Sequence, residues 1–76
     1  MLQQKYDTRK MSDKEIKQAF NKCFITREGE SVLSFLRRIT LERYLGPESS
    51  NDELRHLEGQ RHLVNYIISL TGDIKN

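Results

Sequence analysis

Apolar positions recur along this chain with helical spacing in three stretches, and nowhere with the alternation of a strand. In the first stretch Ile16, Ala19, Phe20, Cys23 and Phe24 mark one face, while Lys14, Lys17, Asn21 and Lys22 face water. In the second, Val32, Leu33, Phe35, Leu36, Ile39 and Tyr44 form a buried face, and Ser34, Arg37, Arg38 and Glu42 an outer one. Leu41 and Leu45 fall on that outer face, which predicts a contact with another surface or cover by the following loop. The third stretch is the widest. At about 100° per residue, Arg55, Glu58, His62, Asn65 and Ser69 share one narrow polar strip. Leu57, Leu63, Val64, Tyr66, Ile67, Ile68 and Leu70 cover most of the remaining circumference, more than a lone surface helix shows. That helix has to be covered on two sides, by other helices or by another chain. His56, Gly59 and Gln60 interrupt its apolar arc near the N-terminal end.

The boundaries have their own signals. Ser12 through Glu15 reads as a capping box, with Met11 and Ile16 as its hydrophobic staple. Thr26 is the N-cap of the second helix, with Glu28 and Glu30 in the first turn, where negative charge suits the helix dipole. Gly29, so close to a helix start, points to close packing or a sharp bend. Gly46-Pro47 is the stop signal for that helix, and Ser50 through Glu53 a second capping box. Gly72 is the C-terminal cap of the third helix. The expected architecture is all-α: a compact three-helix bundle with helices near 13–24, 27–45 and 52–71, the third being the most buried. Residues 1–11, which lack a helical period and carry Lys5, Arg9 and Lys10, read as a flexible basic arm; residues 12–76 form a single domain.

Composition narrows the class. Seventy-six residues make one small domain. Such chains bury only about 60% of their unfolded surface, so a partner or a second copy adds what a small core lacks. The single cysteine, Cys23, excludes an internal disulfide, fits a reducing compartment, and reads as a small buried hydrophobe. No apolar run approaches a membrane span or a signal peptide, so a soluble, intracellular protein without membrane contact is expected. The net charge of +2 is uneven. Residues 1–45 hold ten Lys/Arg against six Asp/Glu, hence +4, and residues 46–76 three against five, hence −2.

Catalytic chemistry finds little support. His56 and His62 lie about 240° apart around one helix, so they share no ion, and no zinc-type spacing exists. Glu58 and His62 touch at i, i+4 but have no nucleophile beside them. No glycine-rich loop cradles a phosphate. No enzyme activity, metal, cofactor or small-molecule substrate is expected. Glu58-Gly59-Gln60-Arg61 has two readings. In the first, Gly59 lets another helix approach closely, and Arg61 folds its stem over the core to pair with a carboxylate or a helix end. In the second, His56, Gln60 and Arg61 are the polar centre of a partner-binding face, to which Leu41 and Leu45 add apolar contact. Three short helices are also the architecture of helix-turn-helix modules, with Arg37, Arg38 and Arg43 able to face phosphates. Against this, no basic run exceeds two residues, and the third helix is too apolar to read a groove. Nucleic-acid contact is therefore expected to be weak.

The strings LRRITLERYLGP and LRHLEGQRHLV resemble those of a family of small tailed-phage and prophage proteins, typified by a protein of a Bordetella podophage. The shared features are Ala19-Phe20-Asn21 in the first helix, Thr26-Arg27-Glu28-Gly29 at the entry to the second, and Glu58-Gly59-Gln60-Arg61 in the third. The resemblance covers residues 15–70. It implies a small helical protein encoded among phage structural or packaging genes. The expected function is a non-enzymatic interaction module acting in virion assembly or DNA packaging, on itself or on a larger phage structural protein. It would work in the cytoplasm of the bacterial host or associated with the virion. The alternatives are a small DNA-binding protein and a phage inhibitor of a host protein.

Overall fold

The computed structural model describes residues 7–71. Among them are a 3-10 turn at Thr8–Lys10 and three α-helices: α1 (Asp13–Phe24), α2 (Arg27–Ile39) and α3 (Asn51–Leu70). No strand occurs among the described residues, and each helix touches the other two. The fold is an all-α, three-helix arrangement.

The helix starts follow the cap chemistry. Ser12 Oγ accepts the Glu15 amide at 3.1 Å, and Glu15 Oε1 accepts the Ser12 amide at 2.8 Å. Ser50 and Glu53 repeat this at α3, at 3.1 and 2.9 Å. Each box satisfies two amide donors that the first helical turn leaves without partners. Of the expected N-terminal arm, residues 1–6 lie outside the described residues. Residues 7–11 carry the 3-10 turn, whose N-cap Asp7 accepts the Arg9 amide and pairs with the Arg9 guanidinium at 2.6 Å. That pairing holds the Asp7 carboxyl below the usual carboxylate range.

Gly29 sets the corner between α1 and α2. A Cβ there would stand 2.1 Å from the Cys23 carbonyl oxygen and 2.7 Å from Phe24 Cα, so the start of α2 lies directly on the end of α1. Thr26 ties the two together. Its hydroxyl donates to the Cys23 carbonyl at 3.2 Å and accepts the Gly29 amide at 2.9 Å. Close approach of backbones is the reason for glycine at this position, as its place in the sequence predicted.

The interior is small and belongs to α3. Leu57, Val64 and Leu70 are the buried apolar side chains, joined by Thr40 and Gly29. Leu57, Val64 and the half-buried Arg61 and Ile68 recur at helical spacing and turn one side of α3 inward. The second apolar side of α3, with Leu63 at 58% and Tyr66 at 57% exposure, stays open. The face assigned to α2 is only partly covered. Leu33 and Leu36 are half-buried, but Val32, Phe35 and Ile39 are exposed. Gly29, Leu33, Leu36 and Thr40 form its inner stripe, and this stripe lies rotated from the apolar centre that composition alone suggests. Cys23, expected inside, is exposed, because the corner at Gly29 brings α2 onto its backbone rather than its side chain.

α2 ends at Ile39, six residues before the expected Leu45. Thr40 leaves the helical region at φ −126°, ψ −71°. Its hydroxyl donates to the Leu36 carbonyl at 2.6 Å, and the Thr40 and Glu42 amides both turn back to the Arg37 carbonyl. Gly46-Pro47 therefore terminates nothing; it opens a turn in which the Ser49 amide donates to the Gly46 carbonyl at 3.1 Å. Two expectations fall with the shorter helix. Leu41 and Leu45 are half-buried rather than outward, and Tyr44 is 86% exposed rather than buried. At the other end α3 stops at Leu70, with Thr71 as its cap residue, whose hydroxyl donates to the Ile68 carbonyl at 2.7 Å. The Gly72 cap lies outside the described residues.

Gly29→Ala is expected to destabilise the chain. Alanine gains up to about 1 kcal/mol of helix propensity. The new methyl meets backbone, which no rotamer change relieves, and overpacking of this kind costs about 1–3 kcal/mol. Thermal denaturation checks the sign: a melting temperature equal to or above that of the parent would show that the corner yields without loss.

Candidate functional site

The connection between α2 and α3 has no regular structure over residues 43–46, yet it is held in place from α3. Arg61 does this. It stands on the inward stripe of α3, between Leu57 and Val64, where an aliphatic residue would ordinarily sit. Its stem crosses the interior and its guanidinium emerges at the end of α2. Nε donates to the Thr40 carbonyl at 2.9 Å, Nη2 donates to the Arg43 carbonyl, and Nη1 meets Glu58 Oε2 at 2.9 Å. A planar fork fits this task, since three fixed N–H directions reach three acceptors at once. Thr40 is 4% exposed, so its carbonyl has little water to turn to. The Glu58 contact is different in kind. Glu58 is 66% exposed at its side chain, and such a pair contributes only about 0–1 kcal/mol.

Pinning the connection creates a crevice between it and the first half of α3. Arg43 and Leu45 line one side; Asp52, His56, Leu57 and Gln60 line the other. Its volume is about 260 Å³. Leu45 and Leu57 supply apolar surface. Gln60 Nε2 lies 3.4 Å from His56 Nε2. A larger depression lies between α1 and the end of α3, lined by Lys14, Lys17, Asn21 and Leu70.

The residues singled out in the sequence are thus divided. Leu45, His56 and Gln60 come together in the crevice, joined by Arg43. Arg61 lies behind them, its side chain 26% exposed and its donors engaged within the chain, as the core-side reading expected. Leu41 is half-buried and does not line the crevice. Arg37 and Arg38 stay in the last turn of α2, Arg38 lying over the Phe35 ring at 5.2 Å. Gly59 needs a correction: nothing lies within 4 Å of the place its Cβ would take, so no helix of the same chain packs there. Its neighbours on that side of α3 are the exposed Leu63 and Tyr66, the latter bordering a depression shared with Asp13, Ile16 and Lys17 of α1. Sequence reasoning missed Tyr44 and Asp52. The signal that locates them is an arginine on an otherwise apolar inward stripe, which has to be reaching for backbone oxygens nearby.

Among the described residues no three of His, Cys, Asp and Glu are grouped to hold a metal ion, and no helix is long and apolar enough to cross a membrane. The model of the Bbp19-like phage protein family matches residues 20–75, most of the chain, and the chain belongs to that family. No curated protein and no solved structure shows significant similarity to it.

Two substitutions separate the roles described above. Arg61→Ala removes the bonds to the Thr40 and Arg43 carbonyls and leaves the Thr40 carbonyl only the 3.3 Å bond from the Arg43 amide, an expected loss of about 1.5–3 kcal/mol, while Glu58→Ala stays within about 1 kcal/mol. Equal losses in denaturant melts would mean that the ion pair, and not the carbonyl clamp, fixes the connection. Gly59→Ala is expected to stabilise the isolated chain by up to about 1 kcal/mol, raising the melting temperature by about 4–8 °C, since the helix gains propensity and the methyl meets open space. A fall in melting temperature would contradict the open surroundings of Gly59.

Proposed function

We propose that this phage-family chain is a non-enzymatic docking module used in building the particle or packaging its DNA. It binds a protein surface, either a second copy or a larger virion component. It acts in the host cytoplasm, and in the virion where the docked complex is kept. The observation that carries this reading is the pinned connection. A side chain on the inward stripe of α3 is spent on fixing residues 40–43, and the segment so fixed exposes Tyr44 beside a crevice of mixed apolar and polar character. Fixed loops lose little conformational freedom on docking, and an exposed aromatic held by such a loop is the usual anchor of an interface. The open side of α3, with Leu63 and Tyr66, offers further apolar area.

The arginines give the DNA-binding alternative little help. Arg38 stacks on Phe35, and Arg43 lies in the crevice, so neither extends a row begun by Arg37. The test is affinity capture from phage-producing cells with the tagged full chain, followed by mass spectrometry. Recovery of a phage structural or packaging protein with the parent, lost with Tyr44→Ala, is the expected outcome. Recovery of one host enzyme in stoichiometric amount would favour the inhibitor reading. Site discrimination of about 10³ or more over random DNA, in gel shifts near physiological salt, would favour the DNA reading.

A further inference from the structure

We propose that a second copy of this chain docks on the crevice between the 43–45 segment and α3, each copy seating its Tyr44 in the crevice of the other, with Arg43 opposite Asp52 of the second copy. The proposal deepens the docking reading above and rests on it. Among the described residues, Tyr44 is the most exposed of the large hydrophobic side chains, at 86%. Both of its neighbours are fixed: the Arg43 carbonyl by Arg61, and Leu45 by half-burial against α3. The ring therefore projects from a settled backbone.

The crevice starts at those same two neighbours. At about 260 Å³ it is below the usual range for a drug-sized ligand, roughly 300–1,000 Å³, and suits one inserted side chain. Its lining matches a phenol. Leu45 and Leu57 take the apolar ring, and His56 and Gln60 supply hydrogen-bonding groups for the hydroxyl. Knob and hole are adjacent along the chain, since Tyr44 stands between the two connection residues that line the hole. A two-fold axis beside the connection brings each knob to the other hole, and such an exchange closes with two copies.

Charge points to the same occupant. The crevice holds a cation at Arg43 and anions at Asp52 and Glu53. Glu53 accepts the Ser50 amide in its capping box. Arg43 and Asp52 belong to neither of the ion pairs found among the described residues. Under a two-fold axis, position 43 of each copy faces position 52 of the other, so both free charges are matched twice.

Sedimentation velocity over a concentration series tests this with the full chain. The parent is expected to form a dimer, and Tyr44→Ala to weaken it by about 30-fold or more, the equivalent of about 2 kcal/mol. At 86% exposure Tyr44 contributes little to the fold, so circular dichroism and melting of that variant should match the parent. The charge assignment has its own test. Arg43→Asp and Asp52→Arg should each abolish the dimer alone, by placing like charges opposite one another, and the equimolar mixture of the two variants should restore it. An ion pair within one chain predicts no such recovery. A parent that stays monomeric up to about 1 mM, a Tyr44→Ala variant that dimerises like the parent, or a mixture that fails to recover would overturn the proposal. In the first case, Tyr44-dependent capture of a virion protein would leave the docking function standing while the second-copy assignment falls. Loss of that capture as well would remove both.

Discussion

The guanidinium of Arg61 donates to the carbonyls of Thr40 and Arg43, and most of what distinguishes this structure from three loosely joined helices depends on those two bonds. They take up backbone acceptors at the end of α2, which ends at Ile39. They fix residues 40–43 against α3, and in doing so they open the crevice and leave Tyr44 outside it. A long aliphatic stem makes this possible, since it fills space between Leu57 and Val64 while its head reaches the surface. A leucine at this position would pack as well and would do none of the rest.

The clamp matters more here because the apolar core is slight. Three buried apolar side chains among the described residues, all on α3, leave the fold dependent on groups that specify rather than merely cohere: two capping boxes, the Thr26 corner and the Arg61 clamp. Hydrogen bonds contribute modestly to net stability, about 0.5–1.5 kcal/mol each, but an unmade one in a covered place costs more. Thin cores therefore place a premium on satisfied ends. The same slightness leaves Val32, Phe35, Ile39, Leu63 and Tyr66 uncovered, which is how a small domain comes to have faces to offer.

Local chemistry was legible in the sequence. Ser12, Thr26 and Ser50 announced the three helix starts because a cap is decided within four residues. Gly29 announced a close approach because glycine one turn into a helix has few other uses. What failed was long-range. No residue between Thr40 and Leu45 is a glycine or proline, so the pattern ran on to Gly46, whereas α2 ends at Ile39, where Thr40 turns back on the Leu36 and Arg37 carbonyls and its own carbonyl meets Arg61, 21 positions away. The burial of Tyr44 and the outward turn of Leu41 and Leu45 were extrapolated from that same register and fell with it. The helix expected beside Gly59 is not one of this chain, for a related reason: periodicity says that two sides of α3 are apolar, but not which side the other helices choose. Of the crevice, His56, Gln60 and Leu45 were found and Asp52 was not, since its neighbourhood exists only once the connection is pinned.

The two backbone tethers differ in how much chain they close. Thr26 joins residues three apart, whereas Arg61 reaches back 18 and 21 positions. Loop-closure entropy rises with the length enclosed, so the clamp carries a larger closure cost than the α1–α2 corner. The crevice takes its shape with residues 40–43 clamped, so whatever binds there favours the clamped state and adds its binding free energy to the stability of the fold.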